Sequence, residues 1–237
     1  MTNASSAAQP WAALPWAALS WAALFDMDGV LIANTDFHIN AWLQFAQQHN
    51  RPLTRDLYVE HINGRVAADA MAYVFQRPIS PGELIVLTEE KEAIYRELYR
   101  PHRQPTPGLL DFLAALRDQS VKLAVGTSAP ESNVRFTLDE LPLRPYFDTV
   151  VDASMVQRGK PDPEIYLTAA QRVGVEPNRC VVFEDALAGI EAGLRAGMKV
   201  VALATTHTRD ELATTGASLI VDDFTELSVD AVRALID

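Results

Sequence analysis

Cysteine is almost absent from this 237-residue chain. It occurs once, at Cys180, so no internal disulfide can form, and the composition fits a reducing, cytoplasmic compartment. Cations are in deficit, with 20 Lys and Arg against 31 Asp and Glu and a formal net charge of -11. That balance argues against non-specific binding to nucleic acid or to an anionic membrane. It leaves room for a phosphate substrate, because a metal ion and a few placed cations can reverse the potential locally. Long apolar runs are missing too, so no bilayer-spanning segment is expected. The N-terminus lacks a basic region and is broken by Pro10 and Pro15, so a secretory signal is not expected. With 49% hydrophobic and 22% charged residues, what remains is a soluble globular protein of one or two domains, with enough chain to bury a core. Nothing in the pattern demands an interface, so a monomer is expected.

The N-terminal segment repeats WAAL at Trp11–Leu14, Trp16–Leu19 and Trp21–Leu24, a five-residue period that matches no repeat architecture. Residues 1–20 read as a tail, and Trp21–Phe25 as the first strand. Beyond it two kinds of segment separate. Residues 33–103 look helical, with apolar residues at helical spacing over Phe37–His49 and Glu83–Tyr99 and no clear strand between. Residues 104–237 alternate short apolar runs (Val121–Val125, Phe147–Val151, Cys180–Phe183, Lys199–Leu203, Ser218–Val221) with helix-like stretches such as Gly108–Asp118 and Pro163–Arg172. Asp162 and Pro163 can open the latter helix and Gly174 can end it. Alternating strand and helix predicts an α/β fold with a parallel, doubly wound, Rossmann-like sheet. The helical block at 33–103 then reads as an insertion, a small α-helical cap, and residues 21–32 with 104–237 as the core. The joins fall near Ala33 and Pro101–Pro105.

Open parallel sheets bind ligands beyond the carboxyl ends of their strands. After the first strand stand Asp26, Met27, Asp28 and Gly29; after Val121–Val125, Gly126, Thr127 and Ser128; after Cys180–Phe183, Glu184 and Asp185. Lys160 precedes a helix start that follows the strand at Phe147–Val151. Any one of these has an ordinary reading as a cap, a turn or a solvated charge. Together they place four carboxylates, two hydroxyls and a lysine along one sheet edge. Clustered carboxylates need a cation, and a hard divalent ion, magnesium above all, suits oxygen ligands. Thr127 or Ser128 and Lys160 can hold phosphate oxygens. A carboxylate in line with phosphorus can form an aspartyl phosphate, and a second acid two residues on can protonate the leaving oxygen and then activate water.

Phe25-Asp26-Met27-Asp28-Gly29-Val30 resembles the first motif of the haloacid dehalogenase superfamily. Gly126-Thr127-Ser128 is similar to its second motif, Gly159-Lys160-Pro161-Asp162 to the third, and Phe183-Glu184-Asp185 followed by Ala188-Gly189-Ile190 to the fourth. The resemblance runs over roughly residues 21–225. It implies that Asp26 is the nucleophile and a metal ligand. Asp28 would be the general acid/base, with its backbone carbonyl on the metal. Thr127 and Lys160 would bind the phosphoryl group, and Asp185 with Glu184 would complete a Mg²⁺ site. The dehalogenases lack an acid where Asp28 stands, so its presence favours phosphoryl transfer.

Within the superfamily the chain resembles the β-phosphoglucomutase and sugar-phosphate phosphatase branch. His38 followed by Ala41-Trp42, Gly64-Arg65, and Lys91 are similar to cap positions of that branch, which would make His38, Arg65 and Lys91 substrate-binding, alongside Ser128 of the core edge. The mutase cap loop reads Gly-x-x-Arg, whereas Gly64 and Arg65 are adjacent here. The mutases' Ser-x-Asn pattern after the second motif is replaced by Ala129-Pro130-Glu131. A related pyrophosphatase branch has a glutamate before Gly-Arg, where Asn63 stands. The expected activity is therefore hydrolysis of a small phosphorylated metabolite, with a phosphohexomutase as the alternative, then a pyrophosphatase. A non-enzymatic phosphoacceptor module is disfavoured, because its acid pair comes early in the chain and its phosphorylated Asp later.

Overall fold

The computed structural model of the chain describes residues 20–62 and 67–237. The expected tail at residues 1–20, save Ser20, and the candidate Arg65 lie outside the described residues. Among those described, a parallel sheet of six strands is formed by β1 (Ala22–Phe25), β2 (Lys122–Gly126), β3 (Thr149–Val151), β4 (Cys180–Glu184), β5 (Lys199–Leu203) and β6 (Leu219–Val221). Its order is β3-β2-β1-β4-β5-β6. The central strands are covered on both faces, which is why they read as continuous apolar runs instead of alternating ones. Ala23, Phe25, Val181 and Phe183 pack on one side with Phe112, Leu116 and Phe224. Ala22, Leu24, Cys180 and Val182 pack on the other with Ile165, Tyr166 and Ile190.

The first four helices, α1 (Thr35–Gln48), α2 (Arg55–His61), α3 (Ala67–Phe75) and α4 (Pro81–Tyr99), interrupt the chain between β1 and β2. They share an apolar cluster of their own, around Trp42, Phe45, Tyr58, Met71, Phe75 and Leu87. A smaller cluster of Ile32, Ala41, Tyr95, Tyr99 and Phe136 joins them to the rest. The sheet is flanked by α5 (Leu109–Asp118), α6 (Glu131–Leu138), α7 (Glu164–Val173), α8 (Leu187–Arg195), α9 (Arg209–Leu212) and α10 (Val229–Arg233). No helix among the described residues is long and apolar enough to cross a membrane.

Several boundaries differ from expectation for local reasons. Helix α4 begins at Pro81, two residues early, because the Ser80 hydroxyl accepts from the Glu83 N–H. The strand expected over Phe147–Val151 starts only at Thr149, since Arg144–Tyr146 form a 3₁₀ turn. Helix α7 starts at Glu164, whose N–H donates to Asp162 Oδ1 at 3.0 Å, and Gly174 ends it at φ +72° as expected.

Register fixes the site. Phe25 pairs with Val125 on β2 and with Phe183 on β4, and the ladder continues as Asp26 N–H donates to Phe183 O at 3.0 Å. The residues just beyond, Asp26, Thr127 and Glu184 with Asp185, therefore reach one edge at the point where the strand order reverses.

Candidate active site

Glu184 ends β4 with no exposed surface. Its Oε1 accepts from Lys160 Nζ at 2.6 Å and from the Tyr166 hydroxyl at 2.8 Å. Its Oε2 accepts from the N–H groups of Asp185 and Ala186 at 2.9 and 3.0 Å. A Cβ on Gly189 would lie 1.7 Å from Glu184 Oε1, so α8 can pass only with glycine there. Lys160 Nζ also donates to Asp26 Oδ1 at 2.8 Å, bridging two acids 24 and 134 residues away in sequence. The Asp185 Oδ2 accepts from the Thr206 hydroxyl, while Oδ1 is buried without a partner among the described residues. Gly29, at φ +79°, is required twice over: its backbone is left-handed, and a Cβ would meet Asp185 Oδ2 at 2.0 Å.

One carboxylate oxygen from each of Asp26, Glu184 and Asp185 lies within 4.8 Å of the others. Burial raises the Asp26 pKa to about 7; Lys160 opposes that rise and Glu184 adds to it. Burial, then the charges of Glu184 and Asp26, push Asp185 well above the carboxylate range. Burial works against the Lys160 charge, but Asp26 and Glu184 outweigh it and raise its pKa. Among the described residues Lys160 therefore bonds two of the three buried acids, and the third, Asp185, keeps one acceptor oxygen unsatisfied. All the donors are hard oxygens, so the set fits a divalent cation of the magnesium class.

Thr127 follows β2, fully buried. Its N–H donates to Val151 O at 2.9 Å, and its hydroxyl accepts from Ala129 N–H at 3.1 Å, leaving the hydroxyl proton to donate elsewhere. Ser128 beside it is exposed.

The Asp28 carboxylate does not join the acidic cluster; it faces the helical insertion. Its Oδ1 accepts from Asn34 Nδ2 at 2.6 Å and lies 3.7 Å from His38 Nε2. Burial would raise its pKa, but His38, Asn34 and Lys91 outweigh burial and lower it. His38 stacks on Tyr95 with centroids 3.8 Å apart, and Lys91 Nζ sits 3.1 Å from His38 Nδ1. An ammonium only donates, so Nδ1 accepts and the ring proton is assigned to Nε2, the atom facing Asp28. Lys91, expected as a substrate contact, is 4% exposed and is committed to His38 and to Glu92 Oε1 at 2.7 Å.

Sequence reading missed Asn34, Tyr166 and Thr206. Asn34 stands at the N-cap of α1, yet it makes no side-chain cap bond. Its amide instead donates to Asp28 and to the Tyr95 hydroxyl, and its oxygen accepts from Gly29 N–H. Tyr166 hides in the apolar face of α7, and Thr206 lies in the loop after β5; neither carries a local signal.

A family model of a haloacid dehalogenase-like hydrolase matches residues 22–197. The chain is 36% identical over 204 residues to a validoxylamine A 7'-phosphate phosphatase of Streptomyces hygroscopicus subsp. limoneus, covering 86% of this chain and 94% of that one. It is 34% identical over 180 residues to a phosphorylated carbohydrates phosphatase of Thermotoga maritima, covering 74% and 81%. It is 29% identical over 217 residues to a β-phosphoglucomutase of Bacillus subtilis, covering 89% and 92%. Among solved structures, a family IA variant 3 hydrolase from Entamoeba histolytica superposes with a TM-score of 0.86 at 30% identity, over 91% of this chain and 99% of that one.

Proposed function

The chain belongs to the haloacid dehalogenase-like hydrolases and is a phosphoric monoester hydrolase; from that premise we propose that it hydrolyses a small sugar phosphate through an aspartyl phosphate on Asp26. The observation that carries this reading is the division of labour between two acids two residues apart. Asp26 is bonded to Lys160 within the acidic cluster, and Asp28 is held apart against the insertion.

In this reading the substrate phosphoryl group lies against Lys160, the Thr127 hydroxyl and the N–H groups of the loop after Asp26. Mg²⁺, when held by Asp26, Asp185 and the Asp28 carbonyl with Glu184 behind, supplies positive charge against the phosphoryl oxygens. Asp26 attacks phosphorus and Asp28 protonates the departing sugar oxygen. Asp28 then takes a proton from the water that cleaves the aspartyl phosphate. Catalysis is positioning and charge stabilisation. The insertion at 33–103 acts as a cap that closes over this edge and reads the sugar.

The test is phosphate release with Mg²⁺ across sugar phosphates, nucleotides and pyrophosphate, with β-glucose 1-phosphate also followed for glucose 6-phosphate. Asp26→Asn keeps the shape and removes the nucleophile, so turnover should vanish; retention of about a tenth of wild-type activity refutes the assignment. The mutase is the second reading, favoured by the Bacillus subtilis likeness, and conversion to glucose 6-phosphate without phosphate release would establish it. Against it stands Lys91, whose ammonium is bonded within the protein and not presented to a distal phosphate.

A further inference from the structure

Helix α4 carries Glu89, Glu92 and Arg96 at three- and four-residue spacing, and Arg100 at its C-cap continues this charged stripe. That stripe packs against α6, outside the insertion. Glu92 Oε2 accepts from Asn133 Nδ2 at 2.7 Å, and Asn133 Oδ1 accepts from Arg96 Nη1 at 2.8 Å. Arg96 Nη1 also donates to the Ser132 hydroxyl at 3.1 Å, and Arg100 Nη1 to Glu140 Oε2 at 2.8 Å. Tyr95, Tyr99 and Phe136 form an apolar layer beside this ladder. Asn133 has no exposed surface, and Glu92 is buried.

The ladder's place in the chain gives it a consequence for the site. Glu92 follows Lys91 and accepts from it, and Lys91 fixes the ring proton of His38 toward Asp28. Asn133 stands six residues beyond Thr127, in the first turn of the helix that the phosphate-binding loop runs into. The buried Glu92–Asn133 bond, with the Arg96 contacts beside it, therefore ties the segment that orients Asp28 to the segment that carries Thr127. Both carboxylate oxygens of Glu92 and both amide atoms of Asn133 are partnered, so a shift that breaks their bond leaves a charge short of a partner in low dielectric.

We propose that the Glu92–Asn133 bond is the positioning contact that sets the insertion against the core so that His38 meets Asp28, with Glu92 and Asn133 acting through Lys91 and His38 and touching no substrate. The inference rests on Asp28 as acid/base and goes beyond that reading.

The experiment is stopped-flow turnover of p-nitrophenyl phosphate with Mg²⁺. Nitrophenolate leaves without acid help, so its burst reports attack by Asp26, and the steady state reports the later hydrolysis that needs Asp28. Asn133→Leu should keep the burst and slow the steady state about 10- to 100-fold, the cost of a misplaced catalytic group. Asn133→Asp, of the same size but repelling Glu92, should do likewise and stands in if the Leu variant does not fold. Ser132→Ala should leave both phases near wild type. In a His38→Ala background, Asn133→Leu should cost nothing more, since its route runs through His38. Burst and steady state falling together, or multiplying losses in the double variant, would overturn the inference. Asp28→Asn separates the two claims. If it stays active, the acid/base reading and this inference both fall. If it is inactive while the Asn133 variants turn over normally, this inference alone falls.

Discussion

Replacing Lys160 with Met tests the electrostatics of the site directly. Lys160 Nζ lies 2.8 Å from Asp26 and 2.6 Å from Glu184. At an effective dielectric of about 20 each contact is worth roughly 6 kcal/mol before desolvation is subtracted. Burial consumes most of that gain. Removing the lysine still leaves its partners uncompensated, which costs about 3–5 kcal/mol. The loss depends on pH. Burial already holds Asp26 at about 7 with Lys160 present, and without the lysine it must titrate higher still. Above about pH 4 the unfolded chain has released these protons while the folded site keeps them, so stability falls as pH rises toward and past 7. In urea denaturation with EDTA, Lys160→Met should trail wild type by about 3–5 kcal/mol at pH 8 and by less than half of that at pH 6, where the carboxyls can protonate. Mg²⁺ should stabilise the variant more than wild type, because the site has lost its internal cation, while turnover stays lost. Equal deficits at pH 6 and 8, or none at pH 8, would refute the reasoning.

Gly189→Ala should destabilise by about 2–4 kcal/mol and abolish turnover, although alanine ordinarily favours a helix. Its Cβ would displace Glu184 from both Lys160 and Tyr166, and a more stable variant in urea would contradict the packing. Burial, with Glu176 adding, pushes the Cys180 thiol up to about 12, and burial raises Tyr58 to about 12 as well. Each group loses its proton in the unfolded chain first, so stability should fall as pH rises from about 9 to 12. Cys180→Ala should flatten that fall in thermal melts, and parallel curves for the two proteins would exclude the thiol as a cause.

The strands were legible because burial on both faces leaves an unmixed apolar run such as Cys180–Phe183, and α1 and α4 because they are long enough to show their period. Helices α2 and α3 are seven and nine residues long and were seen only as part of a helical block. The acids were legible because a parallel sheet places every strand's end at one edge, so topology located Asp26, Glu184 and Asp185 without any side-chain contact. What was not legible is how side chains from distant segments satisfy one another. Lys91 read as a cap lysine that contacts substrate, and only the fold reveals that Glu92 and His38 hold it in the interior. Asn34 carried no signal that singled it out, and only the fold shows its amide shared between Asp28 and Tyr95.

That distinction bears on the proposed chemistry. The partners of Asp26 come from the core: Lys160, Glu184 and the backbone of β4. Those of Asp28 come mainly from the insertion: His38, Lys91 and Asn34 at its root. Displacing the insertion therefore alters one acid and leaves the other. The contacts that lower the Asp28 pKa keep it ionised near neutrality, which suits it to take a proton from water and works against donating one. Donation to the leaving oxygen then requires that His38 draw back from Asp28, or that the negative charge of the bound phosphate outweigh it. On the proposed chemistry, the contacts supplied by the helical insertion would govern proton transfer at Asp28, while Lys160 and Glu184, the partners of Asp26, belong to the core.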